Sequence, residues 1–284
     1  MSIRLAARLA RITLVVATLT MVTHGACAED PKTRLENSPR HHEWVDIKTD
    51  QGRTVRSFVV YPEVDHDAMV MIVIHENRGL NDWARSAADQ VAEAGYIAIA
   101  PDLLSGTGPN GGGTKAFESE DAAREGIYEL KQEQVTSDLD AVFKHAKQMD
   151  AASGKVGVMG FCWGGGQTFH YATQNPELAV ACVFYGSGPT EEELLKKIKA
   201  PVYGFYGGND QRITGAVPKV AEKMKSLEKQ FDATVYEGAG HGFMRSGEIE
   251  GAEQANVEGR AEAWKKLKAV LAKSSQQSPQ TDAN

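Results

Sequence analysis

The chain has 284 residues, 42% of them hydrophobic and 24% charged, the balance of an ordinary globular protein. Its formal net charge of −7 argues against nucleic acid as a partner, since phosphate backbones call for a basic face. With only Cys162 and Cys182 beyond the amino-terminal stretch, a disulfide framework is excluded as the source of its stability.

Met1 to Arg11 carries Arg4, Arg8 and Arg11 and no acid, and Ile12 to Val22 is apolar apart from threonines. Ala26-Cys27-Ala28 then offers small residues on the spacing of a cleavage site. That order is a secretory signal peptide. It predicts cleavage after Ala28 and a periplasmic or secreted product, with no stable membrane insertion once cleaved. The apolar run is about half the ~20 residues that span a bilayer. Lipid attachment at Cys27 is the weaker alternative, because His24-Gly25-Ala26 poorly matches the apolar residue expected before it.

Glu29 to Arg40 is polar and contains prolines, so residues 29–42 read as a flexible leader. Residues 43–273 form one domain, and 274–284, rich in Ser and Gln, read as a disordered tail. Within the domain, Trp44 to Thr49 and Thr54 to Tyr61 are predicted strands joined at the turn signal Asp50-Gln51-Gly52. Met69 to His75 is a continuous apolar run, expected of a strand buried on both faces. Asn81 to Ala94 has helical spacing and stops at Gly95. Ile97 to Ala100 is a short buried strand, and the Gly-rich Pro109 to Gly113 a loop. A helix over Gln134 to Gln148, a strand over Val156 to Met159 and a helix over Gly164 to Thr173 follow. Further strands are predicted at Val180 to Tyr185, Val202 to Tyr206 and Thr234 to Tyr236, with helices at Thr190 to Lys199, Ala216 to Phe231 and Glu250 to Leu271. The alternation implies an α/β fold of three layers, a mostly parallel sheet of about eight strands with helices on both faces.

The chemistry concentrates at strand ends. Gly160-Phe161-Cys162-Trp163-Gly164 lies between a strand and a helix and matches the nucleophile elbow G-x-S-x-G, with Cys for Ser. The turn is so tight that side chains two positions either side of the nucleophile would collide, hence the glycines. The central residue is left at a helix N-terminus, where the dipole favours a thiolate. Asp210 follows one predicted strand, after Gly207-Gly208-Asn209, and His241 follows the next, within Gly238-Ala239-Gly240-His241-Gly242-Phe243. Sites in open parallel sheets form beyond the carboxyl ends of strands, and the order nucleophile, acid, histidine is that of α/β-hydrolases. The loop His75-Glu76-Asn77-Arg78-Gly79 follows the strand that supplies the second oxyanion donor in such folds. The backbone N–H groups of Asn77 and Trp163 are assigned to that hole, and Glu76 is a candidate partner for the Cys162 thiol.

Other candidates read blandly. Cys182, inside Val-Ala-Cys-Val-Phe, is expected in the core, and His75 is expected to be held by backbone at its strand end. His41 and His42 have no third ligand in reach, so no metal site is expected. Gly111-Gly112-Gly113 lacks the Lys-Ser/Thr of a phosphate loop.

Together these residues resemble the dienelactone hydrolase family, from about Val45 to Leu271. The markers are His75-Glu76, Pro101-Asp102-Leu103, Gly160-Phe161-Cys162-Trp163-Gly164-Gly165, Gly208-Asn209-Asp210 and Gly240-His241-Gly242-Phe243. The resemblance implies the α/β-hydrolase fold, an ester or small-molecule lactone as substrate, and no cofactor. It assigns Cys162 as nucleophile, His241 as base and Asp210 as its orienting acid. It implies that Glu76 hydrogen-bonds the resting thiol and is displaced when substrate binds. The family holds a substrate carboxylate with two arginines: Arg245 falls on one, but Gly106 stands where the other belongs. Arg78 or Arg212 could replace it. Two other classes remain open, a non-catalytic ligand-binding protein of the same fold and a redox-active thiol protein. The sequence does not give the oligomeric state.

Overall fold

The computed structural model describes residues 29–276. The expected signal peptide, residues 1–28, and residues 277–284 of the expected tail lie outside the described residues. The first half of the chain runs α1 (Pro31–Asn37), β1 (His42–Lys48), β2 (Thr54–Val60), β3 (Ala68–Ile74), α2 (Asp82–Glu93), β4 (Ile97–Pro101), α3 (Glu120–Glu129), α4 (Gln132–Lys147) and β5 (Ala152–Phe161). The second half adds α5 (Trp163–Gln174), β6 (Ala181–Phe184), α6 (Glu192–Leu195), β7 (Val202–Gly207), α7 (Gln211–Thr214), α8 (Val217–Ser226), β8 (Phe231–Tyr236), α9 (Phe243–Ser246) and α10 (Gln254–Gln276).

Eight strands form one sheet in the order β1-β2-β4-β3-β5-β6-β7-β8. β2 pairs antiparallel with both β1 and β4, and every other pairing is parallel. Side chains alternate between faces along a strand, and β3 shows what that requires when both faces are covered. Val70, Ile72 and Ile74 join the core under α4, α5 and α8, while Met69, Met71 and Val73 join the core under α2 and α10. All seven residues of β3 are buried, so an apolar run without alternation was the right signature. The three-layer α/β reading therefore stands. The parallel strands all end at one edge of the sheet, and the loops at that edge carry the candidate residues.

The leader expectation is corrected. Asp30 caps α1 by accepting from the Thr33 amide (3.1 Å), with Pro31 in the first turn, a favourable helix start. What holds this short helix is tertiary. Leu35 packs on the α2/α10 core, and Arg34 pairs with the buried Glu248 at 3.2 Å. Beyond it, Ser38, Arg40 and His42 all converge on Asp89 of α2, with Arg40 bidentate at 2.9 and 2.7 Å. Burial pushes the Asp89 carboxyl up, but those hydrogen bonds more than offset it and hold the group below its usual range.

Smaller differences have local causes. α10 continues to Gln276, where a tail was expected from residue 274; Ser274 is buried and returns its hydroxyl to the Val270 carbonyl at 3.0 Å. The helix expected to reach Phe231 ends at Ser226, since Glu228 takes a left-handed φ of 57° and β8 begins at Phe231. The helix expected over Thr190 to Lys199 shortens to α6. α3 was not expected at all. Ser119 caps it by accepting from the Ala122 amide at 3.1 Å.

Candidate active site

β5 is fully buried over its last six residues and delivers Cys162 to the edge of the sheet. Cys162 has φ 55° and ψ −116°, a conformation that costs a non-glycine residue about 1–3 kcal/mol unless its surroundings impose it. The surroundings do so from both sides: the Cys162 amide donates to the Phe184 carbonyl at 3.0 Å, and its carbonyl accepts from the Gly166 amide at 3.1 Å. The flanking glycines are there for contact. A Cβ on Gly160 would lie 2.3 Å from the Gly164 carbonyl oxygen, and one on Gly164 would lie 2.3 Å from that of His75. The first turn of α5 thus sits directly on the ends of β3 and β5, with no room for a methyl group.

Two loops bring the other members. The Asn209 amide donates to the Ala239 carbonyl at 2.9 Å, locking the loop after β7 to the loop after β8. The Gly240 amide donates to Asn256 Oδ1 of α10 at 2.8 Å. Across this junction His241 Nδ1 meets Asp210 Oδ2 at 2.5 Å, and His241 Nε2 meets Cys162 Sγ at 3.1 Å. Asp210 is buried and ionised carboxylates only accept. The partners therefore place the imidazole proton on Nδ1 and turn the Nε2 lone pair toward the sulfur. The structure brings Cys162, His241 and Asp210 together as the sequence placed them.

The surroundings of the sulfur work against the thiolate expected at a helix N-terminus. Burial and the nearby Glu76 carboxylate push the Cys162 thiol up, outweighing the Trp163 amide and Arg212, which act to lower it. The balance favours the neutral thiol, which can then donate to His241 Nε2. Such a group becomes nucleophilic by handing its proton to the imidazole during attack.

Glu76 also sits differently. Its Oε2 accepts from Arg245 Nε at 3.0 Å and its Oε1 from the Tyr185 hydroxyl at 3.3 Å. The thiol's hydrogen-bond partner is His241 instead. A buried carboxylate is far better compensated by a guanidinium than by a neutral thiol, which accounts for the choice. Tyr185, at the end of β6 with a left-handed φ of 39°, is a site residue that sequence reasoning missed; its position one residue beyond a buried strand, at the same sheet edge, was the available signal.

The two oxyanion candidates follow the strand ends of β5 and β3. Trp163 supplies the first amide of α5, which has no acceptor within the helix. Its ring stacks on His75 at 5.6 Å between centroids. His75 is fully buried, which pushes its pKa down, and its Nδ1 bonds the Glu76 carbonyl at 2.7 Å, the structural role expected of it. Asn77 follows immediately, and its side-chain amide donates to Tyr128 Oη of α3 at 3.0 Å. Arg78 pairs with Glu120 at the other end of α3. A cleft of about 370 Å³ opens beside these residues, lined by Arg78, Leu80, Trp83, Lys115 and Arg245 among others. Cys182 is 0% exposed in β6, and burial pushes its thiol far up. Among the described residues no cluster of His, Cys, Asp and Glu has the arrangement of a metal site.

Comparison with known proteins adds an independent line. A sequence model of the dienelactone hydrolase family matches residues 55–275. A protein of Saccharolobus solfataricus named "Putative carboxymethylenebutenolidase" is 28% identical over 261 residues, covering 78% of this chain and 94% of its own. A Salmonella typhimurium protein of the same name is 31% identical over 206 residues, covering 68% of this chain and 74% of its own. Among solved structures, a "Putative Dienelactone Hydrolase" from Klebsiella pneumoniae superposes with a TM-score of 0.71 at 24% identity, covering 82% of this chain and 98% of that one. That last likeness is one of fold.

Proposed function

This chain belongs to the dienelactone hydrolase family, and we propose that it hydrolyses a carboxylic ester or lactone through a cysteine nucleophile. The observation that carries the proposal is the chain of two contacts, His241 Nε2 to Cys162 Sγ at 3.1 Å and His241 Nδ1 to Asp210 Oδ2 at 2.5 Å. In the proposed reaction the thiol proton passes to Nε2 as sulfur attacks the carbonyl carbon. Asp210 holds the tautomer and stabilises the imidazolium. The Asn77 and Trp163 amides receive the developing oxyanion. The carbon–oxygen bond then breaks, the imidazolium protonates the leaving alkoxide or enolate, and a thioester remains on Cys162. Water, deprotonated by the same imidazole, attacks the thioester, and the returning proton regenerates the thiol.

Good leaving groups such as enols and phenols suit this nucleophile better than amides. Arg245 is the candidate for an anionic part of the substrate, and engaging it means releasing Glu76. Gly106 contributes no second arginine, so Arg78, on the cleft rim, is proposed as the other cation. The amino-terminal pattern supports export to the periplasm or medium; amino-terminal sequencing of protein recovered outside the cytoplasm is expected to begin at Glu29, and recovery of an intact Met1 in the cytoplasm alone would contradict it.

The test is turnover of a panel of enol lactones, aryl esters and short acyl esters, each with and without a carboxylate. Hydrolysis that vanishes in Cys162→Ala supports the proposal, and a preference for anionic members that is lost in Arg245→Ala supports the role of Arg245. Equal turnover by wild type and Cys162→Ala removes the nucleophile.

A further inference from the structure

We propose that Tyr128 is a positioning residue for the oxyanion hole, with α3 acting as a clasp on the loop that carries the Asn77 amide. The inference rests on the reading of Asn77 N–H as an oxyanion donor and adds a residue outside the triad and its hole.

α3 is thinly attached. Of its ten residues only Ala123 and Ile127 are buried, and they join Leu104 in a small cluster against which Phe117, Leu130 and Trp163 pack. Trp163 is the neighbour of Cys162, so the little apolar contact α3 has is made over the nucleophile's own turn. Gly126 allows the close approach: a Cβ there would lie 2.8 Å from Phe117 Cζ. A mid-helix glycine costs about 1 kcal/mol relative to alanine, so α3 accepts a weaker helix in order to sit close.

The polar ties of α3 then go to two consecutive residues. Glu120, its first residue, pairs with Arg78, and Tyr128, near its end, accepts from the Asn77 side chain at 3.0 Å. Nine residues of helix span roughly 12 Å, so the helix holds the Asn77-Arg78 segment at two separated points. The rest of that loop is fixed at its borders, by His75 Nδ1 bonding the Glu76 carbonyl and by the Leu80 amide donating to Thr114 Oγ1 at 2.9 Å. Between them lies Gly79 with φ 75°, a joint about which Asn77 could swing. The Asn77 amide donates to no group among the described residues, as an amide kept for a transient oxyanion should. Tyr128 is 62% exposed, so the core does not explain its presence. Its hydroxyl instead ties down the Asn77 side chain, and through it the residue whose amide is assigned to the hole.

The experiment uses the full enzyme with an aryl ester, comparing wild type, Tyr128→Phe, Asn77→Ala and the double variant. Both single variants keep every backbone donor. Tyr128→Phe is expected to lower kcat about tenfold with KM nearly unchanged, less than the ~10²–10³ of losing a donor outright. Asn77→Ala is expected to match it, and the double variant to be no worse than either, because both remove the same hydrogen bond. A substrate-derived aldehyde, whose hemithioacetal with Cys162 places an oxygen in the hole, should bind more weakly in step with kcat. Alkylation by iodoacetamide, which develops no oxyanion, should keep its wild-type rate. An unchanged kcat in Tyr128→Phe, losses that multiply in the double variant, or alkylation that falls in parallel would each overturn the inference. If wild type shows no Cys162-dependent turnover, the hydrolase reading fails and takes this one with it; turnover with an indifferent Tyr128→Phe sinks only the clasp.

Discussion

Cys162 and Cys182 lie on adjacent strands, where Met159 of β5 pairs with Cys182 of β6, yet they are different chemical groups. Cys182 points into the α2/α10 core, 0% exposed, inside regular strand. Cys162 stands three residues beyond that same pairing, at φ 55° on the bend into α5, with His241 Nε2 at 3.1 Å. Burial pushes both thiols up, that of Cys182 much further, but a lower pKa alone would not bring a base to the sulfur. The separation is made by backbone: one sulfur leaves the sheet at its carboxyl edge, where loops carrying a base can reach it, and the other never does.

The comparison can be broken at several points. The largest expected effect is Cys162→Ala, which should lower kcat for an activated ester by about 10⁴ or more, while Cys182→Ala keeps most of the activity and loses about 1–2 kcal/mol of stability in urea unfolding. Comparable activity losses in the two would end the distinction. Asp210→Asn should cost about 10³–10⁴ in kcat, through the wrong imidazole tautomer, with an unchanged far-UV spectrum and melting curve as the control. Gly160→Ala tests the bend itself. Its methyl group would meet the Gly164 carbonyl, so a stability loss of about 2–4 kcal/mol and loss of turnover are expected; normal behaviour would mean the turn is looser than described.

The smallest effect is in pH. A raised thiol pKa leaves less thiolate at any given pH, so iodoacetamide alkylation of Cys162 should be slow near neutrality and climb through a midpoint above the ordinary thiol value of about 8.5. Glu76 is one of the groups raising it, so Glu76→Gln should move that midpoint down. Cys182 should stay unmodified across the range. Fast alkylation already at low pH would instead indicate a resting thiolate–imidazolium pair.

Much of this was legible in the chain because it is local. The elbow glycines, the acid after one strand and the histidine after the next are each short patterns whose geometry follows from sterics. What stayed hidden depends on distant partners. α1 is a short, mostly polar helix whose docking comes from Leu35 on the α2/α10 core, Arg34 reaching Glu248 and, just beyond it, Arg40 reaching Asp89. α3 carried a local signal, Ser119 before Glu120 and Asp121, but Gly126 and its narrow buried face gave no stripe to read. The partner of Glu76 was misjudged for the same reason: which group satisfies a buried carboxylate is settled by the fold, and Arg245 stands far along the sequence.

The central claim is a covalent acyl group on one sulfur. Rapid quenching of the enzyme during turnover of a slow-deacylating aryl ester, followed by peptide mass spectrometry, should find the acyl mass on the peptide holding Cys162, lost on treatment with hydroxylamine. Steady turnover with no adduct there, or with the adduct on another residue, would contradict the account.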